Sequence, residues 1–269
     1  MNADDPRLRV PNAKEDKAAR GRVSLVLLVA AVLAGVVSRQ TTVGGIPGPI
    51  LALGVLTGAF LAGWRAGIFA RAHAMLRLPT LRVQGLEATK RLNDGDLSGA
   101  RAGFEALIET ARPLGAFHAV HVLMLGVVEF FEGDTKKGLA LATRAIESGW
   151  FTMRQSRDVL SAAETWRVFM LLDAGELRTA RAIVEAAPQG SLPSGEVALL
   201  AYEKKWPEVL ERVKALLADA QFPEQGKPTL NLIAAHAAKA SGVDASAYQR
   251  NAELNALAKK NPALRPFAA

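Results

Sequence analysis

Cysteine is absent from this 269-residue chain, which excludes a disulfide framework, a thiol nucleophile and a Cys-ligated metal site. Aromatic residues make up only 6% of it and the two Tyr are Tyr202 and Tyr248, so the side chains that favour a sheet are scarce. Charge is missing from two stretches, Val23 to Val37 and Ile46 to Trp64. Chemical signatures are missing as well. No phosphate loop, dinucleotide fingerprint or zinc-protease motif occurs, and Ser161 and Ser191 lack the Gly-x-Ser-x-Gly turn of a hydrolase. No catalytic, cofactor-binding or metal-ligating residue can be named, and the chain reads as a non-enzyme without a cofactor.

Half of the chain is hydrophobic, and the excess lies before Trp64. A helix needs about 20 apolar residues to cross a bilayer. The second uncharged run meets that length, and the first approaches it once Gly21 and Ser38 extend it and Arg22 and Arg39 snorkel to the headgroups. The expectation is a transmembrane helical hairpin over 23–64, with spans of about 22–38 and 46–64. Ser38 to Gly45 and the following Pro47, Gly48 and Pro49 break the helix between them. A cleaved signal peptide is the competing reading of the first run. Asp4, Asp5, Glu15 and Asp16 upstream, the lack of a small-residue cleavage site and the second run just beyond all weigh against it.

The formal net charge is +7, and its placement matters more than its size. Arg7, Arg9, Lys14, Lys17, Arg20 and Arg22 precede the first run, Arg65, Arg71, Arg77, Arg82, Lys90 and Arg91 follow the second, and the connection holds only Arg39. Flanking charge of this kind puts the N-terminus and the large C-terminal part on the cytoplasmic side. No basic patch with interleaved aromatics appears, so nucleic acid is not an expected partner. The Ala, Arg, Gly and Leu bias points to a bacterial chain, whose membrane would be the cytoplasmic one.

Small residues recur at four-residue spacing in both runs, Ala31 and Gly35 in the first, Gly54, Gly58 and Ala62 in the second. Such faces let helices approach closely in lipid. They read either as the seam between the two spans or as a homo-oligomer face, the seam being favoured. Neither span holds an ionisable residue, which disfavours a channel or carrier. After Trp64, Ile68, Phe69, Ala72, Met75 and Leu76 recur at helical spacing and predict an amphipathic juxtamembrane segment over 65–79. Leu78, Pro79 and Thr80 are expected to end it.

From Leu81 the chain alternates helix-length segments with short turns. Gly95-Asp96-Leu97-Ser98-Gly99-Ala100 resembles Gly133-Asp134-Thr135-Lys136-Lys137-Gly138 and Gly175-Glu176-Leu177-Arg178-Thr179-Ala180. Each joins a helix-ending Gly to an acidic residue at the next helix N-terminus and a small residue further on. Weaker copies run from Lys204 to Val209 and from Gly242 to Ala247. These segments are similar to the tetratricopeptide repeat family: Leu125 and Gly126 fall on the Leu-Gly pair of its first helix, and Gly138 and Ala145 on small positions of its second. Ala100 and Phe104, with Pro113 beyond, match in the first unit, and Ala180 and Ala187, with Pro188 beyond, in the third. The spacings are uneven and the usual first-helix aromatic is mostly absent, so an irregular all-helical domain stays open beside the repeat.

The whole therefore reads as all-α: a basic tail 1–22, the hairpin, the segment 65–79, an α-solenoid of tetratricopeptide-like helical hairpins over 80–260, and a tail 261–269. The resemblance implies a membrane-anchored scaffold or adaptor that binds an unidentified protein partner through a groove. Inner-helix positions Arg82, Thr89, Val127, Thr165 and Phe169 would face that groove. A structural subunit that oligomerises through its Gly-rich span and an unrecognised enzyme are the alternatives. His118 and His121, three apart, could share a helix face toward a metal, but no acidic or Cys ligand accompanies them. Glu105 with Glu109 reads as a solvated helix face. Trp150, Trp166, Trp206 and Phe104 read as core between hairpins.

Overall fold

The computed structural model describes residues 5–38, 42–43, 46–65, 67–152, 157–249 and 260–267, and the protein is all-α. Strand pairing among the described residues is one short antiparallel rung, Thr42–Val43 against Ile46–Pro47. It falls where the Gly- and Pro-rich sequence interrupts the helix.

Helix α1 (Ala13–Ser38) starts ten residues before its uncharged run. Asn12 caps it, its Oδ1 accepting the Lys14 backbone N–H at 2.9 Å, and Glu15 and Asp16 complement the positive end of the helix in its first turn. It packs against α2 (Gly48–Arg65). Ala34, Ala52, Ala59 and Gly63 are buried along the pair, and a Cβ on Gly63 would stand 3.8 Å from Leu27 Cδ2. Ala31, Gly54, Gly58 and Ala62 are exposed, with nothing within 4 Å of a Cβ on Gly54 or Gly58. The favoured seam reading is thus corrected: the helices meet on a face turned away from that four-residue series. The surroundings of Gly35 lie outside the described residues.

Helix α3 (Ile68–Leu76) follows at 66° to residues 49–65 and packs on the 3-10 turn Arg112–Leu114. The expected stop at Leu78 to Thr80 is corrected too. The break falls at Arg77, and those three residues open α4 (Leu78–Asp94) with Pro79 in its first turn, where a missing N–H breaks no intrahelical bond.

Among the described residues nine more helices follow: α5 (Leu97–Ala111), α6 (Gly115–Phe131), α7 (Thr135–Glu147), α8 (Arg157–Asp173), α9 (Leu177–Ala186), α10 (Pro193–Tyr202), α11 (Trp206–Ala218), α12 (Lys227–Ala240) and α13 (Ser246–Gln249). From α4 onward each packs on the next, and α4, α6, α8, α10 and α12 also touch in order. Many helices packed in sequence order are compatible with a helical repeat.

The five turns singled out in the sequence share one geometry. Gly95, Gly133, Gly175 and Gly242 have φ of 84°, 96°, 79° and 69°, and Lys204 takes the same place at 59°. In each, two backbone N–H groups reach back over the helix end, as Gly133 does to the Phe130 carbonyl and Asp134 to Glu129, or Lys204 to Ala201 and Lys205 to Leu200. This pattern satisfies carbonyls a helix end would otherwise leave bare, and it requires a left-handed residue. Asp96 and Asp134 then cap the following helices, accepting from Gly99 N at 2.9 Å and Lys137 N at 3.0 Å.

The core centres on α6, whose side chains are buried on nearly every side. The stretch Leu97–Phe131 is the single one among the described residues that is long and apolar enough to cross a membrane, and 72% of its apolar 18-residue window lies inside the fold. Helix α2 reaches that length only together with α3, across the bend.

The first and last described segments are both folded in. Leu8 is fully buried, the Ala13 N–H donates to the Ser148 carbonyl at 2.8 Å, and the Trp150 indole donates to the Pro11 carbonyl at 2.8 Å. Arg20 lies 5.5 Å over the Trp150 ring. The segment expected as a basic tail over 1–22 therefore holds a docked strap over its described part and the first turns of α1. Residues 262–267, expected as tail, form a 3-10 helix with Ala263 and Leu264 fully buried.

Candidate functional site

Three helices build a groove. Helices α7 and α9 stand as its walls, α8 is the floor, and the space between them is about 1110 Å³. Its apolar lining includes Leu139, Leu160, Leu171 and Ile183, and Ser161 and Thr179 contribute hydroxyls. At the floor, Arg167 Nε lies 2.9 Å from Glu164 Oε2. The two are close enough for an ion pair, yet neither atom is aligned for a hydrogen bond with any described group. Burial pushes the Glu164 carboxyl above its ordinary value, against the opposing pull of Arg167. Glu147 and Glu176 add acidic charge along the walls. An apolar surface with acidic rims suits a helix that offers apolar side chains flanked by basic ones, and Glu164 with Arg167 could accept or donate to a polar group on it.

The residues expected to line a groove are not assembled into one. Val127 is fully buried in α6 and Phe169 is 4% exposed in α8, so neither offers surface to a partner. Phe169 instead continues an aromatic row with Trp166 at 5.9 Å and Phe131 beyond it. Thr89 and Thr165 spend their hydroxyls on the carbonyls of Gly85 and Ser161, one turn back, each at 2.9 Å. Arg82 is exposed on α4. Helix α8 does line the groove, but through Leu160, Ser161, Glu164 and Arg167.

The face shared by α8, α10 and α12 is covered by the chain's own residues 260–267. Tyr202 donates its hydroxyl to the Ala263 carbonyl at 2.9 Å, and the Phe267 ring lies 5.4 Å from Tyr202 and 5.5 Å from His236. Lys260 reaches the Asn93 carbonyl at the end of α4 at 3.1 Å. Burial, with Asp173 adding to it, pushes the Tyr202 phenol up to about 12.

Two ion clusters were not read from the sequence. Glu129, 3% exposed on α6, is held by Arg101 of α5 at 2.5 Å and Lys137 of α7 at 2.7 Å. Glu203, just after α10, is held by Arg181 of α9 at 2.6 Å and Lys205 at 2.7 Å. Arg101 and Arg181 stand six residues after Gly95 and Gly175, each directly after the small residue of its repeat. That recurrence was the signal available. Burial opposes ionisation of Glu129, and the hydrogen bonds from Arg101 and Lys137 outweigh it, leaving the carboxyl below its ordinary value. Both clusters join consecutive helices.

His118 and His121 are buried on α6, their Nδ1 atoms 3.0 Å from the Ile108 carbonyl and 2.6 Å from the Phe117 carbonyl. Burial pushes both imidazoles below their ordinary value. No group of three or more acidic or His residues among those described could hold a metal. Glu105 lies 3.8 Å from Arg101 on its own helix.

Comparison of the chain with protein-family models, with curated proteins and with solved structures gives no match in any of the three.

Proposed function

We propose that this protein is a membrane-anchored adaptor: α1 and α2 form a transmembrane hairpin, and α4 to α13 form a solenoid of tetratricopeptide-like hairpins that holds a protein partner at the cytoplasmic face. The observation that carries the reading is the outer surface of the helix pair. Leu25, Val32, Leu53, Leu61 and Trp64 are 61%, 59%, 65%, 60% and 66% exposed, and no charged residue stands among them. A contiguous exposed apolar surface marks an interaction site, and lipid contact suits one without charge. The sequential helix packing and the shared turn geometry support the solenoid.

The partner-binding surface is the groove between α7 and α9, because the face of α8, α10 and α12 is occupied by residues 260–267. Its occupant is an amphipathic helix with basic flanks, matched to Glu147, Glu164 and Glu176. The cytoplasmic side follows from the Lys and Arg on both outer flanks of the hairpin.

Two measurements test this. Alkaline carbonate extraction of membranes carrying the full chain is expected to leave it in the pellet, and its release overturns the anchor. A photo-crosslinking residue at Thr179 is expected to capture a protein that the same residue at Glu211 does not, with capture lost in Ile183→Glu. Equal capture at both positions removes the groove from the reading. A second reading, an oligomeric membrane subunit, rests on the outward face of Gly54, Gly58 and Ala62. It requires self-association in detergent that Gly58→Leu abolishes.

A further inference from the structure

Helix α4 is apolar on two opposite faces. Leu81, Ala88 and Leu92 are buried toward α5 and α6. On the other side Pro79, Val83 and Leu86 recur at four- and three-residue spacing, with Lys90 one turn further on, and Val83 and Leu86 are 65% and 71% exposed. Leu76, at the end of α3, is 84% exposed. From α4 onward Val243 is the one other large apolar side chain exposed to this degree among the described residues.

We propose that this row lies on the membrane surface, so that α4 docks the first helical hairpin flat against anionic lipid headgroups. The inference rests on the anchor reading above. Three observations choose lipid as the occupant. The row continues an apolar surface that already covers α2 and, through Phe69 and Met75, α3. The 66° bend after α2 swings the chain most of the way from the axis of a spanning helix toward the membrane plane. Finally, Arg82 beside the row and Lys90 at its end are exposed and make no ion pair among the described residues. The acidic Glu87 on this helix is already held by Arg91 at 2.7 Å. Unpaired cations beside exposed Leu and Val are the arrangement that binds the interface of an anionic bilayer. Docking of this kind would fix the domain's orientation and leave the groove between α7 and α9 free.

The absence of Cys permits a direct test on the full chain. Single variants Leu86→Cys, Leu53→Cys and Glu211→Cys are labelled with an environment-sensitive fluorophore and reconstituted into vesicles of phosphatidylcholine with phosphatidylglycerol. Lipids carrying a spin-label quencher just below the headgroup are then added. The Leu86 probe is expected to lose at least about half of its emission while the Glu211 probe loses little. Replacing Arg82 and Lys90 by Ala, or omitting phosphatidylglycerol, is expected to reduce that quenching at least about twofold. If the Leu53 probe is quenched by deep-placed quenchers and the Leu86 probe by none, the docking inference is overturned while the anchor stands. If the Leu53 probe is also unquenched, the anchor reading itself fails. Oxidation of unlabelled Leu86→Cys to a disulfide dimer, with no lipid quenching of the labelled protein, would overturn the inference in favour of a second copy.

Discussion

Gly126 and Gly138 bring α6 and α7 into backbone contact: a Cβ on Gly138 would stand 2.7 Å from the Gly126 carbonyl, and one on Gly126 would stand 2.9 Å from the Gly138 carbonyl. The obstacle on each side is backbone, which cannot rotate away as a side chain could. Gly→Ala inside a helix ordinarily stabilises by about 1 kcal/mol. Here the sign reverses, and Gly126→Ala or Gly138→Ala is expected to cost about 1–3 kcal/mol by forcing the helices apart. Chemical denaturation of the full chain in detergent measures it, with Gly21→Ala as the control, since nothing lies within 4 Å of a Cβ there. A stabilised Gly138→Ala would mean that the helices separate freely.

Lys204 is the one described residue other than Gly with positive φ. It holds the left-handed place that Gly fills in the other four turns, and a side chain there costs roughly 1 kcal/mol. Lys204→Gly is therefore expected to raise stability by about 1 kcal/mol, and Gly175→Ala, at φ 79°, to lower it by a similar amount. Thermal unfolding of the two variants decides whether the fourth turn is equivalent to the third.

The turns were legible because their chemistry is local: Gly, then an acid, then a small residue, all within six positions. Even the Lys204 copy left a trace in the residues after it. What sequence pattern could not give is whatever depends on distant segments. Val127 and Phe169 sit at reasonable inner-helix positions, but α6 is enclosed by its neighbours and 262–267 packs against α8, so inner face became core. The Tyr202 to Ala263 bond joins residues 61 apart and the Lys260 to Asn93 bond residues 167 apart, and no periodicity reports such closures. The small-residue series in α2 was visible, but not which of two neighbouring faces α1 would take. The groove between α7 and α9 arises from the separation of two helices whose sequences record only their own faces.

Glu129 makes acid stability a readable property. Arg101 and Lys137 hold its carboxyl below the ordinary 4.5. A carboxyl with a depressed folded value contributes stability that is fully present above 4.5 and is lost as pH falls through that folded value. Glu129→Gln leaves Lys137 against a neutral amide while Arg101 keeps Glu132, and is expected to cost about 1–3 kcal/mol at pH 7. The gap in melting temperature between wild type and variant should hold from pH 7 to about 5 and narrow below 4.5. A gap that persists unchanged at pH 3 would show that packing, not charge, is what the variant loses.

The N-terminal strap is tied at two points that act on the same segment. Leu8 fills a fully buried site, and the Trp150 indole holds the Pro11 carbonyl. Leu8→Ala removes buried methyl groups and is expected to cost about 2–5 kcal/mol if the site cannot collapse. Trp150→Phe keeps a ring against Arg20 but drops the donor, about 1 kcal/mol. Once either tie releases the strap, the other has less left to lose, so the double variant should cost less than the sum of the two. Limited trypsin digestion reads the same event locally: cleavage after Arg7 and Arg9 should be slow in the wild type and several-fold faster in each variant. Strict additivity together with unchanged cleavage would mean that the two contacts are independent, and that α1 is positioned by the Ala13 to Ser148 bond and its packing on α2 alone.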